Sequence, residues 1–132
     1  MPRRVALRSE RGQAAVELAL VLPILCALVL AIAQLGIVWN NYETITDAAR
    51  AGARKAIVER FVGDNGASAV TAARNSAGNL DQSKLGVTVS DSDWSTAGTT
   101  VTVTVTYPYS INILGWTVQS GTLTSTTQES LE

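Results

Sequence analysis

The sequence predicts an α+β chain in which a long N-terminal transmembrane and then amphipathic helix carries a short second helix and a small three-stranded antiparallel sheet, the sheet packed on the outer half of the long helix. Three observations predict it. Leu18 to Trp39 is a run of 22 residues without a formal charge. An apolar 3.6-residue period then continues from Ile45 to Ile57 with no turn signal between. After Leu80 the period drops to two, which is strand grammar.

The uncharged run comes first because it sets the class of the protein. At a rise of about 1.5 Å per residue it is roughly 33 Å long, enough for a hydrocarbon core of about 30 Å. Pro23 falls in its first turns, where a lost backbone bond is tolerated, and Trp39 followed by Asn40, Asn41 and Tyr42 is an interfacial exit. A secretory signal would have an apolar region of about 7 to 15 residues and a small-residue cleavage site, which Trp39-Asn40-Asn41 does not supply. Cys26, the only cysteine, follows the bulky Leu25, so a lipoprotein site is not read there. Residues 1 to 12 hold four Arg against one Glu, and the remainder holds six Lys plus Arg against ten Asp plus Glu. The expected placement is therefore single-pass in the cytoplasmic (inner) membrane, with the N-terminus in and the C-terminal head out.

The head of the run carries the sharpest signal. A basic segment ends in Arg11-Gly12, and Glu17 stands five residues after that glycine in an otherwise apolar stretch. A carboxylate there is costly to desolvate and needs a partner. Cleavage between Gly12 and Gln13 would create an ammonium at Gln13, four residues from Glu17, and make Glu17 the counter-ion of its own or a neighbouring subunit's N-terminus. The segment RGQAAVE resembles the processing site of type IV prepilins at Gly12 and Glu17. Gln13 stands where the best-known pilins carry Phe or Met, so the resemblance implies cleavage and leaves methylation of Gln13 open. The domain reading is a cytoplasmic leader over 1–12, a transmembrane and assembly helix over 13–39, and an extracytoplasmic α+β head over 40–132.

Within the head, the helix is expected to run to about residue 60, which makes residues 13 to 60 one rod of roughly 70 Å. Ala48, Gly52 and Ala56 form a small-residue ridge that lets another backbone approach closely. The chain's own sheet is the expected partner, ahead of a neighbouring subunit. Arg50, Arg54 and Lys55 lie off that ridge as a solvated face, with Glu43 and Asp47 as helix-surface partners. Gly63-Asp64-Asn65-Gly66 breaks the helix. A short helix follows over about 67–78, and a sheet over about 84–129. Its strands are expected at Leu85 to Ser90, at Thr99 to Tyr107 where Pro108 stops the strand, and at Val118 to Thr127, split around Gly121. Ile111 to Trp116 is expected to be an apolar loop.

With these elements in order, the segments VELALVLPILCALVLAIAQLGI, TDAARAGARKA and VTVTVTYPYS together resemble the TadE-like minor pilins or pseudopilins of tight-adherence (Flp-type, type IVb) pilus systems. The resemblance implies a type IV pilin-like fold and a structural subunit matured by a prepilin peptidase. It implies work in assembling a surface filament, and so in adhesion. Its implied partners are membrane lipid before assembly, the peptidase, and other pilin subunits joined through the N-terminal helix.

Other classes find little in the residues. There is no histidine, which removes the commonest general base and metal ligand, and no phosphate loop or nucleophile elbow. No enzyme activity, cofactor, metal or small-molecule substrate is expected. The lack of a basic stripe argues against nucleic acid. Asp91-Ser92-Asp93 offers two carboxylates where calcium takes six to eight oxygens, and reads as a polar turn. The alternative reading is an uncleaved membrane-anchored binding module whose head holds a ligand through Trp94, Trp116 or the Thr face of its sheet.

Overall fold

The computed structural model describes residues 8–59, 66–90 and 98–130. Its elements, in order, are α1 (Arg8–Val58), α2 (Ala67–Ser76), β1 (Gly86–Ser90), β2 (Thr100–Ile113) and β3 (Trp116–Ser130). The three strands form one antiparallel sheet in the order β1-β2-β3, laid on the outer half of α1 as the sequence predicts. The second helix is two residues shorter at its C-terminal end than expected. Gly66, the last residue of the expected break, caps it, while Gly63, Asp64 and Asn65 lie outside the described residues.

α1 is one 51-residue helix, roughly 76 Å at about 1.5 Å per residue. It passes through Pro23 without interruption, although the proline lacks a backbone donor and crowds the preceding turn. The outer half has a buried face made of Ile45, Ala48, Ala49, Gly52, Ala53 and Ala56. Small residues there let two elements approach at once. A Cβ at Gly52 would stand 3.1 Å from the Ala69 carbonyl oxygen of α2, 3.2 Å from the Ala73 Cβ, and 3.1 Å from Val103 Cγ1 of β2. The ridge therefore seats a helix as well as the sheet, which the sequence reading had not included.

On β2, Val101, Val103 and Val105 are fully buried against the helices. Thr102, Thr104 and Thr106 alternate onto the outward face, where the Thr104 and Thr126 hydroxyls are 3.1 Å apart. β1 pairs with β2 only from Gly86, opposite Thr106, to Ser90, opposite Thr102. The segment between α2 and β1 is held to the helices by side-chain bonds. Asn79 Nδ2 donates to Thr44 Oγ1 at 3.4 Å, Gln82 Nε2 to the Ala77 carbonyl at 2.8 Å, and Arg74 to the Gln82 carbonyl at 3.1 Å. Asp81 accepts from both the hydroxyl and the backbone N–H of Ser83, which holds its carboxyl below the usual carboxylate range.

The sheet corrects the expected strand ends. Pro108 does not stop β2, which continues to Ile113. Because β1 ends opposite Thr106, β2 has a free edge from Tyr107 onward, and a proline without an N–H is admissible on that side. Ile111 to Trp116 is not a loop. Leu114 and Gly115 form a two-residue turn with φ of 51° and 86°, the both-positive pattern whose twist suits a hairpin. Nor is β3 split at Gly121, which pairs with Tyr109. A Cβ at Gly121 would lie 3.0 Å from Cε1 of the Tyr109 ring, so the ring lies over the bare glycine, a cross-strand contact that keeps a glycine-bearing strand intact.

Two outcomes follow from this packing. Gly52→Leu overfills the α1–α2–β2 junction and lowers head stability by about 2 kcal/mol, read as an earlier midpoint in denaturant unfolding of the detergent-solubilised chain by near-ultraviolet circular dichroism. Gly52→Ala gains roughly 1 kcal/mol of helix propensity against milder crowding and stays within about 1 kcal/mol of the parent. Gly121→Val pushes the Tyr109 ring aside. Amide exchange from Ser110 to Ser120 then rises while Val101 to Val105 stay protected, which hydrogen-exchange mass spectrometry reads directly.

Candidate processing and assembly site

The residues marked for processing lie near the start of α1. The described part of the helix begins at Arg8, so the Gly12–Gln13 peptide lies within helical backbone. Gly12 is exposed, and a Cβ built there would meet no atom within 4 Å. Glycine costs about 1 kcal/mol in a helix interior relative to alanine, so Gly12 lowers the local helix propensity beside the Gly12–Gln13 peptide. One turn on, Gln13 Nε2 donates to Glu17 Oε1 at 3.1 Å. Glu17 thus already holds a donor from the residue that would become the N-terminus. Both side chains are exposed.

Beyond Glu17 the helix is apolar on nearly every face and is bare. Leu18, Leu20, Val21, Leu22, Ile24 and Leu25 each expose half or more of their surface. Of the described helices, α1 is long and apolar enough to cross a membrane, and none of its most apolar window is buried within the chain. Cys26 is a free thiol on this surface. At the outer end Trp39 Nε1 donates to Glu43 Oε1 at 3.1 Å, and the Trp39 and Tyr42 ring centroids are 6.3 Å apart. A tryptophan fixed at one edge of an apolar band suits a membrane–water boundary, apolar on one side and hydrogen-bonded on the other.

Ala48, Gly52 and Ala56 are separate from this surface. All three are buried inside the head, against α2 and β2. The ridge is occupied within one chain, and the bare apolar surface lies further toward the N-terminus. The expected surface pairs are rearranged as well. Arg50 meets Asp47 at 3.4 Å, but Lys55 pairs with Glu59, and Glu43 accepts from Trp39.

Of the aromatic residues considered as a ligand surface, Trp94 lies outside the described residues, as do Asp91, Ser92 and Asp93. Trp116 is exposed beside the Leu114-Gly115 turn, with Ile113 and Val118 lining the same shallow apolar patch. The sequence reading placed Trp116 in a loop and so missed this grouping. The signal was there in Ser110-Ile111-Asn112-Ile113 and Trp116-Thr117-Val118, two alternating runs separated by two residues, but leucine is an unusual first residue for such a turn.

No curated protein and no solved structure matches the chain. A family model described as TadE-like protein matches residues 12–54, the part of α1 that carries Gly12, Glu17, the bare apolar band and the small-residue ridge.

Proposed function

We propose that this chain is a pilin-like structural subunit, a minor pilin or pseudopilin, without catalytic activity of its own. A prepilin peptidase cuts it between Gly12 and Gln13, and it acts in assembly of a Tad or type IV-like surface filament and so in adhesion. The observation that carries this reading is the unequal covering of α1. Its outer half is enclosed by the chain's own α2 and sheet, while the half from Val16 to Trp39 leaves most of its large apolar side chains exposed. Such a surface is at ease in lipid. Outside lipid it must be buried against other subunits, at about 25 cal/mol per Å² of apolar area.

In the precursor the helix spans the cytoplasmic membrane with the head on the outer side. Removal of the leader makes Gln13 the first residue of α1. The new ammonium and the free N–H groups of the first turn then form a positive end, and Glu17, already bonded to Gln13, complements it one turn along. In a bundle of parallel helices the same carboxylate reaches the N-terminus of a neighbour. That pairing keeps the buried charges of both subunits satisfied and fixes their stagger. Extraction from the membrane needs work, which the assembly machinery supplies.

The mass of the mature N-terminal peptide is the first test. It begins at Gln13 in the parent chain, and in Gly12→Leu the leader stays attached and surface-assembled protein is lost. A parent chain that reaches the surface with residues 1–12 attached supports the uncleaved anchor instead. Glu17→Ala separates the two roles at this site. It is still cleaved, but incorporation into filaments falls at least roughly tenfold, the effect of about 1.4 kcal/mol per subunit, as read by immunoblot of sheared surface fractions.

A further inference from the structure

The sheet has two edges, and they are not equally guarded. On the β1 side the edge strand is five residues long, and beyond it Pro108 has no N–H to offer a partner. On the other side, among the described residues, no strand covers β3. That strand has 15 residues, carries neither charge nor proline from Trp116 to Gln128, and has its register irregularity near the tip, at Ile111 and Asn112. A long edge without such guards is a template for strand addition. β2 offers a shorter open edge past Pro108, from Tyr109 to Ile113. We propose that these two edges meet between copies of this chain: the C-terminal part of β3 of one copy adds to the open edge of β2 of the next, so that the sheet continues from subunit to subunit. Such a contact is head-to-tail and repeats along an open filament. The inference rests on the pilin reading and names its intersubunit contact.

Strand direction selects this pairing. Val103 of β2 packs at Gly52, and Tyr107 to Ser110 share a groove with Gln34, Ile37, Val38 and Asn41. β2 therefore runs antiparallel to α1, and β3 runs parallel to it. Two β3 edges paired antiparallel would point their rods in opposite directions, which a bundle of parallel helices does not allow. Paired parallel, they would put the rods on opposite faces of the sheet. β2 of one copy and β3 of another, by contrast, are antiparallel whenever the rods are parallel, the sense they already have within the chain. From β2 of one copy to β2 of the next is then two strand spacings, about 9.6 Å, and helices pack at about 8–10 Å. The step that closes the sheet edge thus also brings the rods within packing distance.

Three limits set the register. Side chains that face α1 must stay on that face, so the offset from the in-chain pairing is an even number of residues. Lys84 and Leu85 lead into β1 along the same edge of β2, so the added strand pairs from Tyr109 onward, and β3 itself ends at Ser130. The longest pairing within these limits sets Tyr109 against Glu129, and Ile113 against Ser125, of the second copy. Tyr109 pairs with Gly121 in its own chain, so the two copies are offset by about 26 Å, at about 3.3 Å per strand residue. No like charges meet in this register. Glu129 instead faces the groove beside Tyr107 to Ser110 that Lys84 helps to line. Two copies standing level in one membrane do not reach this offset. The contact forms once one copy has been drawn out ahead of the other, and it belongs to the assembled state.

The test is oxidative cross-linking of the full chain on cells, with Ser110→Cys and Gln128→Cys in a Cys26→Ser background. Both positions are exposed. Ser110 pairs with Ser120 in its own chain, so within one copy the two cysteines lie about 26 Å apart, beyond the reach of a disulfide. The double variant is expected to give a reducible ladder of two and more copies in the sheared surface fraction, and either cysteine alone to give none. A second pair of variants needs no oxidation. Ser110→Lys with Gln128→Glu is incorporated as the parent is, whereas Ser110→Lys with Gln128→Lys is incorporated several-fold less. Surface-assembled protein without a ladder overturns the edge pairing and leaves the pilin reading standing, and so do equal amounts of the two lysine-bearing chains. Dimers from Gln128→Cys alone, or a cross-link to a different protein, overturn it as well, since another partner then holds the β3 edge. A parent chain absent from the surface fraction rejects the pilin reading and the pairing together.

Discussion

The close contact of α1 with α2 and β2 across its small-residue face is the constraint on which the rest of this structure depends. Alanine at 48, 49, 53 and 56 and glycine at 52 bring the Ala69 carbonyl and the Val103 side chain to within van der Waals reach of the helix. Among the described residues, the largest fully buried side chains are Ile45 and the three valines of β2. Such a core gains less from transfer of apolar area than one built on Leu and Phe, and relies more on tight packing and on the hydrogen bonds of the segment between α2 and β1.

Because α1 is one uninterrupted helix, this contact has consequences well beyond the head. A rigid rod whose outer half is clamped has its inner half oriented too. The faces that Glu17 and the bare leucines present to lipid or to other subunits are set by where Gly52 packs, some thirty-five residues away. The apolar half of α1 and the half clamped in the head thus share one axis. On the function proposed above, such a rod suits a subunit that leaves a membrane and enters a bundle without refolding: the change of surroundings is large, while the chain's internal contacts stay the same.

The sequence made much of this legible. Residue period separated helix from sheet, the uncharged run located the span, and the isolated Glu17 after Gly12 marked a site whose first and fifth residues are hydrogen-bonded in the folded chain. The failures cluster in the hairpin. Proline at 108, glycine at 121 and the Leu114-Gly115 pair each signal a break when taken locally, and each is overridden by a neighbour. The end of β1 leaves Pro108 an open edge, the Tyr109 ring covers Gly121, and strands of fourteen and fifteen residues on either side hold Leu114 in a conformation it would not choose.

By itself, then, the sequence determined the order and kind of the elements and the membrane-length helix. Those depend on local composition and spacing, which need no knowledge of partners. Tertiary structure alone decided that the small-residue ridge is closed by α2 as well as by the sheet, and that β2 and β3 run on as an arm beside the apolar half of α1. The first rests on contacts between segments more than fifteen residues apart and the second on cross-strand pairing along the hairpin, and in both packing between elements outweighs local preference.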